Sequence, residues 1–371
     1  MKHLFNGAFD GITVLLTGHT GFKGSWMSSW LLKMNANLVG FSLPDPPTNP
    51  SNYDLCEVRT SLTDVRGDIR DYEAVEEVIR RYRPDLIIHF AAQTTVLASY
   101  EDPKITFDTN VGGTVNVLEA VRRTGSVKAL LVCATDKVYE NKEWVWGYRE
   151  SDSLGGRDPY SASKAMAELA VNAYRQSFFS KSGSTAIASA RAGNVIGGGD
   201  FTAHGLIADT MRSILQGEPV RLRRPSSTRP WLFVLEPLSG YLCLAANLLR
   251  HGVRHAQEWN FGPWPQDSGV TTMQLVEQLL EIWGVDDGIR IQTPQGTASA
   301  GPHEAQELRL NWEKAASYLE WRPVYRLDDA LRETVLWFKT FQQKRSIPEV
   351  CQITLDRYVS RAEELALPWT R

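Results

Sequence analysis

Residues 12–16 form an apolar run, Ile-Thr-Val-Leu-Leu, that passes directly into Thr17-Gly18-His19-Thr20-Gly21-Phe22-Lys23-Gly24-Ser25-Trp26, and residues 27–34 then alternate apolar and polar at helical spacing. A glycine triplet in the joint between a buried strand and a helix restricts the fold more than any other stretch of the chain. Without a Cβ, backbone N–H groups can approach a pyrophosphate, and a helix N-terminus adds partial positive charge there. The spacing is Gly-x-x-Gly-x-x-Gly rather than the commoner Gly-x-Gly-x-x-Gly, and a tight turn without a ligand would use glycines in the same way.

The rest of the first half repeats the strand-then-helix pattern. Residues 37–41 read as a second strand, followed by a proline-rich connection over 43–52, and residues 72–82 as an amphipathic helix stopped by Arg83-Pro84-Asp85. Residues 86–92 are a buried run ending in Ala91-Ala92; within it His89 is expected to be a satisfied core histidine. Phe107, Val111, Val115, Leu118 and Val121 recur at helical spacing, then a strand at 128–133, a helix from Pro159 and a strand at 185–190. This alternation predicts an α/β fold of the Rossmann type, a doubly wound parallel sheet whose ligand crevice lies beyond the C-terminal strand ends. The ends at Thr17-Gly18, Ala91-Ala92-Gln93 and Ala134-Thr135-Asp136-Lys137 are expected to meet there. After residue 190 the alternation fades into helices near 207–215, 238–249, 271–283 and 327–338, which predicts a smaller C-terminal α/β lobe over the crevice. The corresponding division is 1–190 and 191–371, with interleaving of segments allowed.

Composition removes several classes of function. With 40 basic and 43 acidic residues in 371 the net charge is −3, so bulk electrostatics favour neither nucleic acid nor an anionic membrane. No stretch has the roughly 18 to 20 apolar residues of a membrane span. Cys56, Cys133, Cys243 and Cys351 are scattered, make no metal-type pair, and suit a reducing cytoplasm. No Lys or Arg occurs between Lys33 and Arg59, which favours NAD over NADP because a 2′-phosphate finds no local cation. Asp45 is the only acidic candidate near the end of the second strand for a ribose diol.

Tyr160 and Lys164 lie one helical turn apart, so they share a face, and Asp158-Pro159 supplies a helix start just before them. An ammonium beside a phenol favours the phenolate and is expected to lower its pKa. Together with the glycine turn, Asp68-Ile69, Ala91-Ala92-Gln93, Thr135 and Tyr160-Ser161-Ala162-Ser163-Lys164, this sequence resembles the extended short-chain dehydrogenase/reductase superfamily. Asp136-Lys137-Val138-Tyr139, the run Glu143 to Glu150, Arg191 to Gly199, Arg229-Pro230-Trp231 and Pro302-His303-Glu304-Ala305 make it most similar to the CDP-glucose 4,6-dehydratases, over nearly the whole chain.

The resemblance implies an NAD-dependent hydro-lyase acting on a nucleotide sugar, in which C4 is oxidised, water leaves across C5 and C6, and the hydride returns to C6. It implies that Tyr160 and Lys164 take the C4 hydroxyl proton, that Thr135 hydrogen-bonds the same oxygen, that Asp136 is the acid of the elimination and that Lys137 stands where related enzymes carry a glutamate base. NAD would be held by Gly18, His19, Gly21, Phe22, Lys23, Asp68, Ile69, Ala91, Ala92 and Gln93 with Tyr160 and Lys164, and substrate by Asn194, Arg229, Asn260 and His303. No metal is expected, and a homodimer is, through the helices at 103–123 and from 159. Two stretches depart from the family pattern, Leu97 in place of an arginine and Phe201 to Ala208 in place of a basic segment. A rival reading is an epimerase or oxidoreductase of the same superfamily. Asp136-Lys137 argues against it, because epimerisation needs no eliminating acid and base. Retention of Thr135, Tyr160 and Lys164 argues against a silent NAD-binding regulator.

Overall fold

The structure is a computed structural model that describes residues 1–267, 269–284, 291–293 and 308–371. In chain order its strands are β1 (Thr13–Thr17), β2 (Asn37–Ser42), β3 (Thr63–Arg66), β4 (Leu86–His89), β5 (Ala129–Cys133), β6 (Ala186–Ala192), β7 (Val195–Ile196), β8 (Val220–Arg221), β9 (Leu232–Phe233), β10 (Glu258–Phe261) and β11 (Ile291–Gln292). The helices up to the second half are α1 (Phe22–Lys33), α2 (Asn52–Leu55), α3 (Tyr72–Tyr82), α4 (Val96–Glu101), α5 (Pro103–Phe107), α6 (Gly113–Thr124) and α7 (Pro159–Phe178). They are followed by α8 (Leu206–Gln216), α9 (Leu235–His251), α10 (Thr272–Trp283), α11 (Glu313–Tyr318), α12 (Leu327–Gln342) and α13 (Ile347–Glu364).

Seven strands form one parallel sheet in the order β10-β6-β5-β4-β1-β2-β3. Strand order reverses between β1 and β4, and in such sheets the ligand crevice opens at that switch point. The alternation of side chains explains the two layers. Val14 and Leu16 of β1, with Leu86 and Ile88 of β4, face the larger core, which contains Trp26, Trp30, Trp259, Trp321 and Trp337. Leu15 and Ile87 face the smaller core against α3, α6 and α7.

The division after residue 190 is crossed by the chain. β10 pairs with β6 at the edge of the central sheet, and α9 packs on β5 and β6, so both belong with the first half. What remains beside the crevice is small: β7 with β9, β8 with β11, and α8 and α10 closing a cluster around Val220, Leu222 and Val276. The helix expected over 103–123 is interrupted by a π turn at Asp108–Gly112, a feature often found at functional sites.

His89 is a core histidine, as expected. Its ring bridges the Thr17 hydroxyl at 2.7 Å and the Thr114 hydroxyl at 3.2 Å, and burial pulls its pKa down to about 3. As pH falls through 6.5 the unfolded chain takes up this proton, while the folded chain does not until about 3. Stability is therefore expected to fall across that window. A shallower dependence of the urea midpoint on pH in His89→Gln would bear this out, and an equal slope would remove His89 as the cause.

Candidate active site

Register places the strand ends side by side. Thr17 is level with Phe41 and His89, His89 with Val132, and Cys133 with Ala190. The residues immediately beyond, Gly18, Phe90 to Gln93, Ala134 to Lys137 and Gly193-Asn194, thus line one edge of the sheet.

The three glycines of the opening turn have different tasks. Gly18 has φ of +73°, and a Cβ there would stand 2.7 Å from the Ala91 nitrogen; a Cβ on Gly24 would stand 2.2 Å from the Gly18 oxygen. Those two close the turn on β4 and on itself. Gly21 caps α1 with no side-chain hydrogen bond, and a Cβ there would meet only the Gly18 oxygen at 3.4 Å. The start of α1 is thereby left open to an anion, as a dinucleotide pyrophosphate requires. Gly18→Ala is expected to cost about 1–3 kcal/mol, because it combines a left-handed backbone with a backbone clash. Urea unfolding checks this, and an unchanged midpoint would show that the turn relaxes freely.

On the β2 side the structure amends the sequence reading. His19 is fully buried, its ring held between the Ser42 hydroxyl and the Asp64 carboxylate, both at 3.0 Å. Its side chain therefore secures the strand ends, and only its backbone is placed to meet a ligand. Asp45 is exposed in the loop after β2. Parallel pairing sets Arg66 of β3 beside Ser42, a cation that the local Lys33-to-Arg59 argument overlooked. Arg66 is committed to Asp64 at 2.7 Å and to the Leu43 and Pro44 carbonyls at 3.0 and 3.2 Å. Asp68 pairs with Arg70, and Ile69 is buried against Gly113.

The chemistry-bearing groups gather beyond β5. Asp136 is buried; its Oδ1 accepts from the Thr135 hydroxyl at 2.9 Å and from Lys137 Nζ at 3.2 Å, while its Oδ2 has no hydrogen-bond partner among the described residues. Lys137 Nζ also donates to Asn194 Oδ1 at 3.2 Å. The Tyr160 phenol is buried near the Thr135 hydroxyl. Lys164 departs from expectation, donating to the Cys133 carbonyl at 2.9 Å. Burial pushes the Tyr160 phenol above its ordinary range, with the Thr135 hydroxyl opposing. Burial and then repulsion from Lys23 pull Lys164 down to about 8. Lys23, on the first turn of α1, is itself lowered by burial, with Asp136 opposing and Lys137 adding repulsion. The Asp136 carboxylate thus pairs with Lys137 and lies within electrostatic reach of Lys23.

The chain matches the GDP-mannose 4,6 dehydratase family over residues 15–334. It belongs to that family. It is 43% identical over 337 residues to a CDP-glucose 4,6-dehydratase of Salmonella typhimurium, spanning 90% of this chain and 92% of that one. Among solved structures it is similar to a UDP-glucose 4-epimerase of Thermus thermophilus in complex with NAD, with a TM-score of 0.75, 27% identity, and 88% of this chain and 99% of that one covered. A dTDP-glucose 4,6-dehydratase of Bacillus anthracis in complex with NAD gives a TM-score of 0.74 at 25% identity, with 91% and 100% covered.

In this dehydratase-family chain the remaining candidates divide. Asn194 meets Lys137, and the Arg229 segment packs against the adjoining turn, since a Cβ on Gly193 would lie 2.5 Å from Pro230. Asn260 is different: it is fully buried, its Oδ1 accepts from the Tyr139 hydroxyl at 2.7 Å, and its Nδ2 donates to the Tyr148 and Asn311 carbonyls. It holds the frame behind the crevice. Gln93 likewise uses its whole carboxamide on Thr95 and Thr106, and its backbone N–H and carbonyl are both bonded to the Asn110 side chain. His303 lies outside the described residues.

Phe201, where a basic residue was expected, packs on Trp337, Phe338 and Phe341. Arginines nonetheless reach this loop from elsewhere, Arg212 to the Phe201 carbonyl and Arg223 to the His204 carbonyl. Asn110, in the π turn, escaped the sequence reading. It accepts from the Gln93 nitrogen at 2.9 Å and donates to the Gln93 carbonyl and the Ser163 hydroxyl, which in turn donates to the Tyr160 carbonyl. A polar residue facing away from an apolar helical stripe carries no signal of such a bridge.

Proposed function

We propose that this chain is a CDP-glucose 4,6-dehydratase, converting CDP-glucose to CDP-4-keto-6-deoxyglucose with tightly bound NAD. The observation that carries the reading is the Asp136-Lys137 ion pair on the strand end that also bears Thr135, with the buried Tyr160 on α7, the helix packed against that turn. Oxidation alone needs the tyrosine and threonine; elimination needs a further acid and base, and these are the two groups added.

The open N-terminus of α1, the Gly18 and Gly21 turn, and the Tyr160 and Lys164 face would hold the dinucleotide. When bound, NAD supplies a hydride acceptor for the sugar C4 and a donor for C6. Tyr160 accepts the C4 hydroxyl proton while Thr135 orients that oxygen. Lys137 takes the C5 proton. Asp136 protonates the departing C6 hydroxyl, so that water leaves. Asn194 and Arg229 would meet the nucleotide sugar, Arg229 as a clamp on phosphate oxygens.

The test is to incubate purified protein with CDP-, dTDP-, UDP- and GDP-glucose and look by mass spectrometry for a product lighter by one water. CDP-glucose is the expected substrate, and silence with all four would overturn the assignment. A homodimer belongs to the same proposal. Apolar side chains Tyr100, Ile105, Met166, Leu169 and Phe178 stay exposed on α4, α5 and α7, with Leu169 at 57%, and a second copy of the same face would cover them. Four free, buried cysteines agree with work in a reducing cytoplasm.

A further inference from the structure

We propose that the buried Glu168–Arg191 ion pair, joined through the Tyr139 hydroxyl, is a positioning device that keeps the eliminating groups Asp136 and Lys137 in register with the oxidising groups Tyr160 and Lys164. The proposal rests on the dehydratase reading above and assigns a task to residues outside its reacting set.

Tyr160, Lys164 and Glu168 succeed one another at four-residue intervals along α7, so all three present the same face to the sheet. Glu168 receives Arg191 as a two-pronged fork, Nε to Oε1 at 2.8 Å and Nη2 to Oε2 at 3.2 Å, and the Ser189 hydroxyl donates to Oε2 at 2.6 Å. Ser189 and Arg191 are alternate residues of β6 and therefore point to one side of it. The third arm of the guanidinium, Nη1, donates to the Tyr139 hydroxyl at 2.8 Å, and that hydroxyl donates to Asn260 on the adjoining strand β10. Tyr139 is the residue that follows the single turn Asp136–Val138 carrying the acid and the base. The helix with one pair of catalytic groups and the turn with the other are thus fastened to the same guanidinium.

A buried ion pair is a poor source of stability, because desolvation offsets most of its attraction. What a fully satisfied buried network does supply is one defined arrangement. The oxidising side has other supports, since the Asp158 carboxylate caps α7 and Asn110 with Ser163 braces its first turn. The turn at 136–138 is tied at its far end through Tyr139, beside the Gly155 N–H that donates to the Val138 carbonyl at 2.8 Å. Loosening that hydroxyl is therefore expected to disturb elimination more than oxidation.

Glu168→Gln would leave Arg191 buried beside a neutral partner and risks the fold. Tyr139→Phe removes one hydroxyl and keeps the ring stacked on Tyr148 at 5.0 Å, so it is the decisive variant. Its kcat is expected to fall about ten- to hundred-fold, as a small misplacement of reacting groups does, with KM, NAD content and thermal midpoint near those of the parent. After substrate is added, the near-ultraviolet absorbance of reduced nicotinamide is expected to build up, because C4 oxidation outruns water loss. Independently of turnover, amide hydrogen exchange should quicken over residues 135–139 and not over 160–168. Unchanged exchange at 135–139 would overturn the proposal, as would a loss of kcat that follows loss of NAD or of thermal midpoint without that absorbance. Turnover of CDP-glucose by the parent protein, measured alongside, tests the dehydratase reading separately.

Discussion

Tyr160→Phe is expected to lower turnover of CDP-glucose by about 10³- to 10⁴-fold, the upper part of the range for removing a general base. The ring is buried, so the substitution removes a single oxygen and no packing. Without it the C4 hydroxyl proton has no acceptor, and oxidation stops before any water is lost. No near-ultraviolet signal of reduced nicotinamide should appear on mixing, and the thermal midpoint should stay near that of the parent. Turnover within tenfold of the parent would take the tyrosine out of the mechanism. Burial holds this phenol above its usual range, and Lys164 is directed to the Cys133 carbonyl.

Asp136→Asn is expected to give the opposite signature. An asparagine keeps the shape but cannot protonate a leaving hydroxyl, so kcat should fall by about 10²- to 10⁴-fold while C4 oxidation proceeds. Mixing with substrate should then leave reduced nicotinamide on the protein and little product lighter by water. The prediction rests on a carboxylate that is buried, bonded through Oδ1 to Thr135 and Lys137, and unpartnered at Oδ2 among the described residues. That free oxygen is the one placed to serve a substrate. Full product formation by the variant would assign the acid elsewhere.

The two signatures together separate the oxidising from the eliminating half of the site, a division that runs along the chain. Thr135, Asp136 and Lys137 are consecutive, and the helical offset of Tyr160 and Lys164 is one turn, so the grouping within each set follows from residue order, while the roles proposed for them come from the family resemblance. The glycine turn was legible for the same reason, although the structure reassigns its members: Gly18 and Gly24 are required by backbone approach, and Gly21 by the open helix start.

Longer-range assignments fared less evenly. His19 and Asn260 stand at motif positions, yet their side chains are fully buried and bonded within the frame. Asn110 and Ser163 lie 53 residues apart, and Arg191 and Tyr139 52. Pairs at such distances meet because successive parallel crossovers bring strand ends level, a result of the whole sheet.

The sequence by itself determined most of the elements and which candidate groups fall at strand ends or on one helix face, because hydrophobic period, glycine spacing and helical offset act over a few residues. Only the tertiary structure decided how those groups meet, where Arg66 and Lys23 come to rest, and in which direction burial moves Tyr160 and Lys164. Those properties depend on burial and on charges contributed by other strands, and neither is a function of local order in the chain.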